Sequence, residues 1–253
     1  MLERKTIIVE GIALSYFVTP EGGKGAVLFL HGWRSNATVW QKAMETLSTQ
    51  GFTTYALDLP GFGNSQNPLR AFSVGDYADV VSAYMEKLGI QTACVVGHSF
   101  GGRIGIVLAA AHPPLVSKLV LVDSAGVREK NLKRDVIGFL AKAAGPFFAP
   151  AFMQPLRRLV YRALGAEDYL ATPELVETFK LVINEDLQPL LPKITQETLL
   201  VWGEYDADTP ISYAMSMEKK IPRAEMAIIS GAEHFSFLDA PEKFSALLSD
   251  FLV

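Results

Sequence analysis

Short apolar runs alternate with longer stretches of helical periodicity along the first half of the chain. Residues 26–30, 53–58, 92–96 and 118–122 are short and apolar, the pattern of strands buried on both faces. Between them, residues 39–49, 73–88 and 100–112 read as helices, with Ser73 and Asp76 as a capping pattern at one start. Residues 5–10 and 12–19 read as two more strands joined tightly at Gly11. Strand–helix alternation of this kind predicts an α/β fold with a mostly parallel, doubly wound sheet. From Ser124 to about Ile194 the alternation stops and helical patterns follow one another. Residues 155–164 carry a stripe of Leu156, Leu159, Val160, Ala163 and Leu164, with Pro155 at the start and Gly165 past the end. Thr172-Pro173 opens a second helix with Leu175, Phe179, Val182 and Ile183 on one face. Strands at 198–202 and 225–229, with helices from about Ile211 and Pro241, then complete the pattern. The predicted organisation is a core of residues 1–123 and 195–253, with a helical insertion at 124–194.

One junction carries chemistry. Gly97-His98-Ser99-Phe100-Gly101 lies between the apolar run at 92–96 and a helix that runs to Ala111, with no proline before Pro113. A G-x-S-x-G turn from strand to helix holds its serine in a strained backbone conformation and lifts the hydroxyl clear of the sheet. Glycines two before and two after allow the close approach that a Cβ would block. The same pentapeptide also suits a Gly-rich turn with a structural serine.

Other loops sit at the ends of apolar runs in the same way. They are His31-Gly32-Trp33, the stretch from Asp58 through Gly61 and Gly63 to Ser65, Trp202-Gly203-Glu204-Tyr205-Asp206, and Gly231-Ala232-Glu233-His234-Phe235. With these motifs in this order, the chain resembles the α/β-hydrolase superfamily over almost its whole length. The resemblance implies an α/β-hydrolase fold whose insertion is a helical cap roofing the serine. It implies a Ser-Asp-His order of catalytic groups, built at the carboxyl ends of the strands.

By that resemblance Ser99 is the nucleophile and His234, in the loop after the last strand, is its base. A serine hydroxyl needs an adjacent base, and an imidazole titrating near ~6.5 suits the task. Of the other histidines, His31 sits where it props the oxyanion loop, His98 points away from the nucleophile, and His112 ends a helix beside Pro113. Asp206 is the orienting acid by the Gly203-x-x-Asp206 spacing. Asp208, two residues on, and Asp123, at the end of the preceding strand, stay open as rivals. The three groups are expected to converge with contacts near ~3 Å. The oxyanion hole is expected from the backbone N–H groups of Trp33 and Phe100, whose side chains suit either pocket lining or core packing. The single-glycine loop at Gly32 is expected to crowd bulky alcohol groups.

Composition narrows the classes. At 253 residues, 49% hydrophobic and 20% charged, the chain suits one α/β domain with an insertion. A net charge of −4 gives no nucleic-acid signal. Phosphate-loop, dinucleotide, zinc and EF-hand spacings are absent, so neither a cofactor nor a metal is expected. The single Cys94, mid-strand, predicts a buried thiol and no internal disulfide. No signal segment or 18-residue apolar run is seen, so a cytoplasmic protein without a transmembrane segment is expected. Nothing in the sequence indicates oligomeric state. Between Arg128 and Gly165, eight Lys and Arg face only Glu129 and Asp135, a net +6 in an acidic chain. Solvated helix faces account for this, and so does attraction of an anionic substrate or acidic lipid surface.

The expected activity is hydrolysis of a small or medium carboxylic ester through an acyl-enzyme. A carbon–carbon bond hydrolase of vinylogous diketones and a non-catalytic ligand receptor on the same fold are the alternatives. His98 stands where the carbon–carbon hydrolases usually have asparagine, which weighs against the first.

Overall fold

The computed structural model describes residues 2–127 and 173–253. The basic stretch at 128–165 and the predicted helix at 155–164 lie outside the described residues. Eight strands form one sheet: β1 (Glu3–Val9), β2 (Ile12–Val18), β3 (Ala26–Leu30), β4 (Thr53–Leu57), β5 (Ala93–His98), β6 (Val116–Val122), β7 (Glu197–Gly203) and β8 (Ala224–Ile229). Their order is β1-β2-β4-β3-β5-β6-β7-β8. β2 pairs antiparallel with β1 and β4, and every pair from β4 to β8 is parallel.

Alternation along each central strand feeds two separate cores. Leu28, Leu30, Val95, Leu119, Leu121, Leu200 and Trp202 face one side. Their immediate neighbours Val27, Phe29, Cys94, Val96, Val120, Val122, Leu199 and Val201 face the other. Successive side chains of a strand point to opposite faces, so a run apolar at every position must be covered twice. Helices α2 (Val74–Lys87), α3 (Phe100–Ala111) and α5 (Ile211–Lys220) cover the first face. Helices α1 (Gln41–Thr49) and α6 (Pro241–Leu252) cover the second. Cys94 is buried in the second core, and burial pushes its thiol up to about 12.

Local chemistry sets the helix starts. Ser73 Oγ accepts from Asp76 N at 3.2 Å and Asp76 Oδ2 accepts from Ser73 N at 2.7 Å, the reciprocal cap read from the sequence. The helix expected from residue 39 starts earlier, as a 3₁₀ turn over Ala37–Trp40. There Asn36 Oδ1 accepts from Thr38 N and Asp58 Oδ1 from Ala37 N, which satisfies free N–H groups before the α-helix begins.

Within the predicted insertion, Pro173–Leu175 is a 3₁₀ turn, Val176–Asn184 forms helix α4, and Gln188–Lys193 is again 3₁₀. This stretch is fastened to the core. Thr178 Oγ1 accepts from Phe72 N at 3.1 Å, Arg103 donates to Glu185 O at 2.9 Å, and Leu187 N donates to Gly126 O at 3.0 Å.

The chain leaves β3 for β4 on one side and returns to β5 on the other, so the strand order reverses about β3. In open α/β sheets, sites form outside the carboxyl ends of the strands at such a reversal. Leu30 and Gly97, the register partners there, deliver the Gly32 and Ser99 loops side by side.

Candidate active site

Ser99 leaves β5 with φ 49° and ψ −105°, a region unfavourable for a residue with a side chain. Its surroundings hold it there. Ser99 N donates to Val122 O at 3.0 Å, and its carbonyl accepts from Arg103 N and Ala125 N. A Cβ on Gly97 would lie 2.4 Å from Gly101 O, and one on Gly101 would lie 2.2 Å from Leu30 O. Only glycine permits that packing of helix start on strand end.

Asp206 and His234 come together from the loops after β7 and β8. His234 Nδ1 donates to Asp206 Oδ2 at 2.9 Å, with the Asp206 side chain fully buried and the His234 side chain 14% exposed. Burial pulls the imidazole pKa down; the Asp206 bond and charge, backed by Asp208 and Asp123, outweigh it and leave the pKa raised. Burial likewise disfavours the Asp206 carboxylate, but hydrogen bonds from His234 and Thr209 hold its pKa below the usual range. Thr209 donates to Asp206 through Oγ1 at 2.6 Å and N at 2.9 Å, and Asp208 N adds a third bond at 2.9 Å. Asp208 thus caps Asp206 through its backbone. Asp123 has no hydrogen bond to His234 among the described residues; it accepts from Gly203 N and Ser236 instead. With Nδ1 protonated toward Asp206, neutral His234 keeps Nε2 as an acceptor.

No hydrogen bond joins Ser99 to His234 among the described residues, so the expected Ser–His contact is not made here. The hydroxyl turns on one torsion, and such bonds tighten around substrate. The loops are nonetheless adjacent, since His98 Nε2 lies 2.8 Å from His234 O. The His98 ring packs 4.9 Å from the His234 ring.

The two expected oxyanion donors are free. Among the described residues, neither Trp33 N–H nor Phe100 N–H donates to a protein acceptor. Phe100 is the first residue of α3, where an N–H has no partner within the helix and the helix dipole favours negative charge. The Trp33 N–H is aimed by His31. Leu59 N donates to His31 Nε2 at 3.0 Å, so the proton sits on Nδ1, which donates to Gly32 O at 2.8 Å. The Gly32–Trp33 peptide is trans, so pinning its carbonyl turns the Trp33 N–H to the opposite side. Burial keeps His31 neutral, its pKa lowered to about 4.

Aromatic rings wall this side. The half-buried Trp33 ring lies 4.9 Å from Phe62, 5.2 Å from Phe100 and 5.0 Å from Phe179 of α4. Phe100 is core, 2% exposed. Thr209, Ser236 and the second histidine His98 were not singled out from sequence as parts of the site. Thr209 had a signal, because an Asp three residues before a Thr commonly accepts from the following backbone N–H groups.

A family model described as "alpha/beta hydrolase fold" matches residues 25–241. The pimeloyl-[acyl-carrier protein] methyl ester esterase of Vibrio vulnificus is 28% identical over 89% of this chain and 93% of its own length. A 2-hydroxy-6-oxononadienedioate/2-hydroxy-6-oxononatrienedioate hydrolase of a Pseudomonas species is 26% identical over 91% and 88%. Among solved structures, a bacterial membrane phospholipase A superposes with a TM-score of 0.79 at 26% identity, covering 99% of this chain and 86% of that one. No helix of the described residues is long and apolar enough to cross a membrane. By its sheet order, its strand-end loops and the family match, the chain belongs to the α/β-hydrolase fold family.

Proposed function

We propose that this hydrolase is a serine esterase acting on small or medium carboxylic esters. Ser99 attacks the ester carbonyl while His234 Nε2 takes its proton. The oxyanion forms against the N–H groups of Trp33 and Phe100. The imidazolium then protonates the departing alcohol, leaving an acyl-Ser99 ester. Water, deprotonated by the same imidazole, releases the acid and restores Ser99. Asp206 holds the tautomer and stabilises the imidazolium. The single observation that carries the reading is the 2.9 Å bond from His234 Nδ1 to a fully buried Asp206.

Residues 124–194 are read as a cap over this site. The net +6 of residues 128–165 supports a substrate bearing negative charge, and the lone Cys94 supports a cytoplasmic setting. The single-glycine loop favours esters of small alcohols, and the Vibrio relative is named for a methyl ester. The Pseudomonas relative's name favours a second reading, cleavage of a carbon–carbon bond in a vinylogous diketone.

Fluorophosphonate labelling mapped by mass spectrometry, followed by turnover of an ester and diketone panel, tests both. Label on Ser99, with ester turnover lost in Ser99→Ala by about 10³–10⁶ in kcat, is the expected result. Diketone turnover alone selects the second reading. Labelling elsewhere, or full ester activity without Ser99, ends the triad assignment. A folded protein that neither takes the label nor turns over either class supports the receptor alternative.

A further inference from the structure

Asp123 is a buried carboxylate that the proposed reaction does not use. It directly follows β6 with φ 45° and is 0% exposed. No Lys or Arg pairs with it among the described residues. Burial pushes its carboxyl up to about 7, against the pull of the donors around it. An unpaired acid at such a place is a cost, and its partners indicate what offsets it.

Every side-chain bond of Asp123 goes to a residue flanking a loop that bears a member of the acid–base pair. Oδ1 accepts from Gly203 N at 2.8 Å, three residues before Asp206. Oδ2 accepts from Ser236 N at 3.1 Å and Ser236 Oγ at 2.6 Å, two residues after His234. Its carbonyl lies 3.0 Å from Thr209 Oγ1, the hydroxyl that also reaches Asp206 Oδ2. β6 runs beside β7, and β7 separates it from β8, so one side chain spans both loops.

We propose that Asp123 is a positioning residue, whose carboxylate straps the Asp206 loop to the His234 loop and so fixes the distance at which acid and base meet. This rests on reading Asp206 and His234 as that pair. Two N–H donors converge on opposite oxygens, so both oxygens must accept. Asparagine would turn an NH₂ toward the Ser236 N–H and lose that bond, keeping only the one to the hydroxyl. Protonation of Asp123 leaves the strap closed, because the Ser236 hydroxyl accepts as readily as it donates.

The test measures kcat and KM together with the far-downfield proton resonance of a carboxylate-bound imidazole Nδ1–H. The resonance is assigned by its loss in Asp206→Ala and His234→Ala. In folded Asp123→Asn, kcat falls about 10²-fold, as for a group displaced by about an ångström. KM stays within about twofold and the resonance shifts upfield or broadens away. If Asp123→Asn does not fold, Ser236→Ala keeps the carboxylate and the Gly203 bond. A several-fold lower kcat with a shifted resonance is then expected. Wild-type kcat and resonance in either folded variant overturn the strap. So does activity in Asp206→Ala that disappears only when Asp123→Ala is added, which would make Asp123 the acid. Fluorophosphonate labelling of Ser99 that persists in folded Asp123→Asn and Ser236→Ala, and is lost in His234→Ala, separates a failed strap from a failed triad.

Discussion

The ring of His98 donates from Nε2 to the main-chain carbonyl of His234 at 2.8 Å, so the residue before Ser99 holds the His234 loop. Burial keeps His98 neutral, its pKa lowered to about 3, which leaves a single tautomer with Nε2–H. Its Nδ1 has no partner among the described residues and faces Gly32. In His98→Ala the carbonyl loses its donor and the site loses a packed ring. An approximately tenfold or larger fall in kcat, with KM little changed, is the expected outcome for a slackened base. Ester turnover by a variant of unchanged Tm checks it.

Gly32→Ala attacks the same contact from the other side. Its Cβ would lie 2.7 Å from His98 Nδ1 and 3.5 Å from Ser99 Cβ. The ring cannot retreat without breaking its bond to His234 O. Lower kcat is expected here, and combining Gly32→Ala with His98→Ala restores part of it, because the clash goes with the ring. Additive losses in the pair would refute that coupling.

The pH dependence has a fixed sign. In the proposed mechanism only neutral His234 accepts the Ser99 proton, and its pKa is raised above 6.5. The kcat/KM profile therefore falls on acidification, with its midpoint above 6.5 rather than at it. Asp206→Asn removes the bond and charge that raise the value and leaves the burial that lowers it. Its profile is expected to fall at lower pH while its plateau drops. An unmoved midpoint in that variant would mean that another group titrates.

His31→Ala frees the Gly32 carbonyl from His31 Nδ1, although Ser35 N still reaches it at 3.2 Å. Loss of one oxyanion donor costs about 10²–10³ in kcat. A loosened donor is expected to cost less than a lost one, about tenfold. A transition-state analogue bearing an oxyanion should lose affinity in parallel, and equal affinity for it in both proteins would rule the aiming role out.

Ser73→Ala removes the reciprocal cap of α2 and leaves no site contact changed. About 1 kcal/mol of stability is expected to be lost, with kcat unaffected. Chemical denaturation with activity assayed alongside separates the two quantities.

The loops after β3, β5, β7 and β8 were legible because each follows a short apolar run, which sets them at one edge; the family resemblance then singled out Gly32, Ser99, Asp206 and His234 within them. The preference for Asp206 over Asp123 and Asp208 rested on the Gly203-x-x-Asp206 spacing of the resembled family, not on the apolar pattern. All three sit at strand ends, and only the fold shows Asp206 bonded to Nδ1 while Asp208 offers a backbone N–H. The partners of Asp123 lie 80 and 113 residues away in sequence, a separation that leaves no local trace. Strand ends were blurred where a polar residue interrupts the apolar run, as at Ser117, so β6 starts at Val116 and not at residue 118.

The two cores on either side of the sheet have a bearing on accuracy as well as on stability. Ser99, Asp123, Asp206 and His234 hang from β5, β6, β7 and β8, four consecutive strands of the sheet. Sliding one of these strands by a single residue would move its loop by roughly 3.3 Å. It would also exchange every side chain between the two faces, setting the Leu and Trp side of β7 where Leu199 and Val201 now fit. Volumes on the two faces differ, so the misaligned sheet packs poorly on both. The sheet thus works as a vernier: alignment errors large enough to separate the loops of the proposed site are the ones that its interior rejects.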